Sequence, residues 1–239
     1  HFRRVEGNIV KQTYRIIPRT TVAGLVAAML GVERDGYYDR FEPTSSAIAI
    51  EPTARLRTLN MPINTLSTAN ESLRSLNPRG KISMKLPDPS KHRQQHNYEV
   101  LVDPAYRIDL WLADEDWYDD LRTRLKKGTS HYVPSLGLSE HLAKIEYHGE
   151  FEVLTGPSTD EVTVDSAVPN ASDQVVPDPG VQWQMEQSPA FMTADDEGRR
   201  TTAFTTYAYN PDVDGPQDGS LVVRGVTTST VDGRTVMFV

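Results

Sequence analysis

The side chains in this sequence best suited to chemistry are its cations, and they gather in its first hundred residues. Arg3, Arg4, Lys11 and Arg15 lead up to Arg19-Thr20-Thr21, which stands where a long apolar stretch begins. If that stretch is a helix, its free N–H groups and positive dipole end offer an anion site, and a neighbouring guanidinium adds a bidentate donor. The pattern predicts a phosphate-binding surface. A second group, Arg74, Arg79, Lys81, Lys85, Lys91, His92 and Arg93, lies in a polar segment punctuated by Pro78, Gly80, Pro87 and Pro89. Cations strung along such a segment suit the backbone of a nucleic acid.

Other chemistries find less support. The histidines His1, His92, His96, His131, His141 and His148 form no H-E-x-x-H or other ligand spacing; His92 and His96 are four apart, but in a proline-rich stretch. There is no G-x-S-x-G, P-loop or G-x-G-x-x-G pattern. The absence of cysteine excludes disulfides, thiolate zinc sites and a cysteine nucleophile. Asp114-Glu115-Asp116 and Asp119-Asp120 read as first-turn acids that complement a helix dipole, with Lys126-Lys127-Gly128 as the matching end. Asp195-Asp196-Glu197-Gly198 reads as a solvated loop. No catalytic residue, metal or cofactor is expected.

The net charge of −8 conceals an asymmetry. Residues 1–100 hold 15 Lys and Arg against 9 Asp and Glu, whereas residues 101–239 hold 10 against 24. A basic half can attract phosphate while an acidic half faces solvent or another protein. Arginine outnumbers lysine 18 to 7; with the acidic surplus, this suggests a salt-adapted cytosol such as that of a halophilic archaeon. The longest apolar stretch, Val22 to Val32, is too short to span a bilayer, and a soluble cytoplasmic protein is the expectation.

The elements that must position these residues can be sketched from periodicity. Ile17 to Gly31 reads as a buried helix, begun by Pro18 or Thr20 and stopped by Gly31, with Gly24 and Ala27-Ala28 as a thin face for a sheet. Ala47–Ile50 reads as a strand, and residues 99–112 as a strand region in which Tyr106, Ile108, Leu110 and Leu112 alternate with polar or aromatic neighbours. A helix follows from Asp114 to Lys127, and Lys144–Leu154 suggests a further strand. Between about Asn64 and Asn97 a projecting hairpin or arm is expected. The chain opens at His1 rather than Met, so the first strand is expected to be truncated. The order fits an α+β, ferredoxin-like (RRM-type) domain over residues 1–154, followed by a small, acidic, β-rich C-terminal appendage over 155–239.

Four separated blocks then resemble one family. Phe2-Arg-Arg4, Ile17-Pro-Arg-Thr-Thr-Val-Ala-Gly-Leu-Val-Ala-Ala-Met-Leu-Gly-Val32, Gln95-His-Asn-Tyr-Glu-Val-Leu-Val-Asp-Pro-Ala-Tyr-Arg-Ile108 and Tyr132-Val-Pro-Ser-Leu-Gly-Leu-Ser-Glu140 are similar, in that order, to CRISPR-associated protein family five. The likeness covers roughly residues 1–155 and is closest to the type I-B branch. It implies a subunit of a type I surveillance complex (Cascade) that grips the 5′ handle of the crRNA, caps the filament of backbone subunits, docks the large subunit and lies near target DNA at the PAM. On this chain the grip falls to Arg3, Arg4, Arg19 and Thr20, and the family's inserted thumb to about 64–97. One branch of the family cleaves repeat RNA with Tyr, Lys and His. Tyr14 and the pair Lys91-His92 keep a metal-independent endoribonuclease open as the alternative.

Overall fold

The computed structural model describes residues 1–4, 10–66, 93–215 and 218–239. Strands dominate, with two α-helices among the described residues. The chain runs β1 (Phe2–Arg3), β2 (Val10–Lys11), β3 (Thr13–Tyr14), α1 (Arg19–Leu30), β4 (Ser46–Pro52), β5 (Arg57–Leu66), β6 (Arg93–Val102), β7 (Tyr106–Leu112) and α2 (Glu115–Lys127). It continues through β8 (Val153–Val164), β9 (Val168–Pro169), β10 (Gln184–Asp195), β11 (Gly198–Tyr209), β12 (Leu221–Val231) and β13 (Arg234–Val236). The result is mixed and mostly β, as the α+β expectation requires.

Both helices end as their sequences dictate. Pro18 stands at the N-cap of α1, where its missing N–H costs nothing, and Gly31 closes it at φ +80°. A side chain at Gly31 would also strike the ring of His131, about 2.5 Å from where its Cβ would lie. In α2, Asp114 Oδ1 accepts the Trp117 N–H at 3.0 Å and Gly128 ends the helix in the left-handed region. Helix α1 is apolar on nearly all sides, so it is covered from several directions. Gly24 admits the hydroxyl end of Tyr37, 3.1 Å from where a Cβ would sit, rather than the sheet expected there.

The centre of the fold is the antiparallel pair β4–β7, in register from Ser46↔Leu112 to Pro52↔Tyr106. Alternation splits this pair into two faces. Ile48 and Ile50 join the cluster made with Val22, Val26 and Met29 of α1 and Leu121 of α2. Ala49, on the other face, packs with Val231 and Val236 of the β12–β13 hairpin. The chain terminus adds to the edge of β4, since Ile48 and Val239 exchange both backbone hydrogen bonds at 3.0 Å.

Residues 155–239 therefore share the core. In β11, Tyr207 and Tyr209 point into the first cluster while Ala208 between them joins a second, with Val164, Val168, Leu221 and Val223. The sheet β10–β11–β9 separates the two clusters, and the sheet β13–β12–β8 supplies most of the second.

One expected element fails to form. Residues 143–152 carry no regular structure; β8 begins only at Val153 and pairs with β12. The alternation of Ile145, Tyr147 and Phe151 is genuine, but Gly149 breaks the run at φ +139°. The segment is instead strapped along α2, where Glu150 accepts hydrogen bonds from Lys126 and Tyr118 at 3.0 Å and from Arg122 at 3.2 Å.

Candidate nucleic-acid interface

The N-terminal cations hang on three very short strands. Phe2 is buried beside Tyr14 across β1–β3, which turns Arg3 outward. The Phe2 N–H donates to Thr13 Oγ1 at 2.8 Å, and the Thr13 N–H donates to Glu99 Oε2 at 3.1 Å, tying the pair to β6. Lys11 on β2 runs parallel to β6 with Tyr98 as its partner. These contacts bring Arg3, Arg4 and Lys11 to one region beside the root of the β5–β6 hairpin.

A buried carboxylate holds the next turn. Glu186 Oε2 accepts the N–H groups of Arg15 at 2.7 Å and Ile16 at 3.0 Å, and Oε1 faces Arg4 at 3.7 Å. Burial pushes the Glu186 carboxyl above its ordinary range, against the lowering effect of those two backbone donors. Arg15 Nη1 donates to Gln184 Oε1 at 2.6 Å, while the Tyr106 hydroxyl donates to the Arg15 carbonyl. Arg15 is thus partly engaged in the fold, and Arg4, 47 % exposed, keeps one side to solvent.

The structure corrects the reading of Arg19. Its side chain is 1 % exposed. The guanidinium donates to the carbonyls of Phe41 (2.6 Å), Val239 (3.2 Å), Ala190 (3.3 Å) and Ser46 (3.3 Å), and to Ser46 Oγ (2.6 Å). The Phe191 ring lies 4.2 Å from its central carbon. Burial lowers its pKa to about 10, so it remains a cation at neutral pH. The start of α1 is roofed by β10, and the cleft beside it, lined by Thr20, Tyr38 and Met192, has room for about one water. Arg19 organises protein backbone and has no donor left for phosphate. Thr20 and Thr21 are half-buried beside it.

The polar arm is rooted in a regular hairpin. β5 and β6 pair without a register break from Arg57↔Val102 to Leu66↔Arg93. Arg93 lies on β6; Arg74, Arg79, Lys81, Lys85, Lys91 and His92 lie outside the described residues. So does any geometry linking Lys91-His92 to Tyr14, whose phenol is buried and pushed up in pKa chiefly by that burial.

The hairpin also presents residues that the sequence reading passed over. Leu59 is 56 % exposed and Met61 39 % exposed. Tyr98, cross-strand partner of Met61, stands between His1 and His96, with ring centroids at 5.4 and 6.5 Å in edge-on geometry. The signal was present as alternation of Leu59, Met61 and Ile63 with Thr58, Asn60, Pro62 and Asn64. Pro62 argues against a central strand, but β5 is an edge strand, where proline is tolerated. No cluster of three or more metal-ligating side chains occurs among the described residues, and no helix among them is long and apolar enough to cross a membrane.

Compared with known proteins, residues 1–212 match the family model described as CRISPR-associated protein (Cas_Cas5). No curated protein matches. A solved chain described as "CRISPR RNA-guided surveillance complex" aligns with 97 % of this chain and 86 % of its own length, at 11 % identity and a TM-score of 0.49.

Proposed function

The chain belongs to the CRISPR-associated Cas5 family, and from that premise we propose that it is a non-catalytic, RNA-binding subunit of a type I surveillance complex, holding the 5′ handle of the crRNA. The observation that carries this reading is the family match over residues 1–212. The geometry is compatible with it: Arg3, Arg4 and Lys11 lie together beside the root of a hairpin whose continuation is rich in cations. In this reading the arm at about 64–97 is the thumb, and Arg79, Lys81, Lys85, Lys91, His92 and Arg93 follow the RNA backbone, with Thr20 and Thr21 flanking the grip. The arrangement α1–β4–β7–α2 supplies the inner part of a ferredoxin-like domain, into which the β5–β6 hairpin is inserted. Backbone and large subunits of the complex are the proposed protein partners, with target DNA near the PAM alongside.

The test is assembly together with cleavage. The tagged full chain, expressed with crRNA and backbone subunits, co-purifies with both, and the purified chain leaves repeat RNA intact with or without divalent metal. A chain that ignores crRNA and backbone subunits sinks the subunit reading. Specific cleavage lost in His92→Ala establishes the endoribonuclease instead, because general acid–base work needs such a group within hydrogen-bond reach of the scissile phosphate.

A further inference from the structure

One face of the β5–β6 hairpin differs from the rest of this acidic chain. By the two-residue alternation of a strand, Arg57, Leu59 and Met61 of β5 share a face with His96 and Tyr98 of β6 and with Lys11 of β2. No position on that face, from 57 to 65 or from 94 to 102, carries a carboxylate. Glu99, the acid of this hairpin, lies on the opposite face and is engaged by the Thr13 N–H. In a chain with 33 acids against 25 cationic residues, a carboxylate-free strip of this length is compatible with a polyanion.

The apolar groups on the strip define what kind of polyanion fits. Leu59 and Met61 are substantially exposed, and Tyr98 is half-buried between two imidazoles. The His1 ring is itself oriented, its Nδ1 lying 2.7 Å from the Glu99 carbonyl oxygen. A duplex would offer only phosphates here, leaving the rings and the thioether without partners. An unpaired strand offers phosphates to Lys11 and Arg57 and an exposed base to the aromatic slot. Met61 and Leu59 extend the platform on the cross-strand side, since a thioether packs well on an aromatic surface.

We propose that this face, centred on Tyr98 between His1 and His96, is a stacking platform for an unpaired base of single-stranded RNA. The proposal rests on the RNA-binding reading above and deepens it, placing a base-stacking contact at the root of the hairpin rather than at the start of α1.

The test uses the purified full chain and a short single-stranded RNA carrying 2-aminopurine, with a duplex of the same sequence as comparison. The wild type binds the single strand more tightly than the duplex and quenches the 2-aminopurine. Tyr98→Ala weakens single-strand binding by about tenfold or more and abolishes the quench, on the scale of one lost base–aromatic stack. Tyr98→Phe restores both, and the surface change Leu59→Ser gives a smaller loss with an unaltered fold. Should Tyr98→Ala fail to fold, the Tyr98→Phe and Leu59→Ser pair decides. Wild-type affinity and quench in the folded Tyr98→Ala and Leu59→Ser proteins overturn the platform while leaving the RNA-binding reading intact. Absence of any RNA binding by the wild type overturns both. Unchanged RNA binding with lost co-purification of backbone subunits makes this a protein-docking face and also overturns the proposal.

Discussion

Arg19→Ala discriminates most sharply between a buried structural role and a phosphate grip. The side chain is 1 % exposed and its guanidinium reaches four carbonyls and one hydroxyl, drawn from the segments around Phe41, Ser46, Ala190 and Val239. No carboxylate is among these partners, so the cation is held by backbone dipoles alone. A hydrogen bond to a charged group contributes about 1.5–3 kcal/mol, and removing one member of a buried charged network costs about 3–5 kcal/mol. The two 2.6 Å contacts, to the Phe41 carbonyl and Ser46 Oγ, carry most of that. A domain of this size loses about 2–4 °C in Tm per kcal/mol, so Arg19→Ala lowers Tm by roughly 10–15 °C. Arg19→Lys falls between, because an ammonium has three donors where the guanidinium has five.

The assay is thermal and urea unfolding of wild type, Arg19→Lys and Arg19→Ala, beside RNA affinity corrected for the folded fraction. The expected result is a graded loss of stability with little change in the affinity of the protein that remains folded. A folded Arg19→Ala with wild-type Tm and a selective loss of RNA binding would refute this reasoning and return Arg19 to the grip.

Two further outcomes follow from other buried charges. Arg234 grips Asp109 at 2.8 and 2.9 Å and also pairs with Glu51, so Arg234→Ala leaves two acids facing each other and lowers stability by about 2–3 kcal/mol in urea unfolding; adding Glu51→Gln recovers part of this, and no recovery would mean the two acids do not repel. Glu186 has its pKa raised in the fold by burial, so the folded state binds its proton more tightly than the unfolded state does. Its contribution to stability is fully present below the ordinary carboxylate value near 4.5 and is lost as pH rises through the higher folded value. Glu186→Gln removes that component, and the difference between wild-type and variant urea midpoints, measured from pH 4 to 7, falls toward acid if the two backbone donors and Arg4 leave the carboxyl above its usual range.

Much of the local structure was legible because its causes are local. Pro18 and Gly31 bound α1, Asp114 and Gly128 bound α2, and the alternation from Tyr106 to Leu112 marks a strand whatever lies around it. What escaped depended on distant residues. Arg19 follows a proline at a helix start, which reads as an anion site until Ala190 and Val239, far along the chain, close over it. Residues 144–154 have strand periodicity, yet Glu150 finds three donors on α2 and the chain follows them. β5 was missed because Pro62 counts against a strand unless that strand is known to lie at an edge.

The division of charge between the two halves of the sequence shows the same limit more clearly. A net positive first half suggested a basic surface set apart from an acidic one. In three dimensions the halves neutralise each other: Arg4 meets Glu186, Arg55 meets Asp212, Arg199 meets Asp35 and Arg234 meets Glu51. Exposed pairs of this kind add little stability, but they erase the long-range field that the sequence totals imply. A polyanion approaching the molecule therefore meets no basic hemisphere. It is held where cations stand without carboxylates beside them and where an aromatic group can take a base. Among the described residues, the face of the β5–β6 hairpin that carries Arg57, Lys11 and Tyr98 combines these conditions, and it continues directly into the cationic segment that the sequence marks out for RNA.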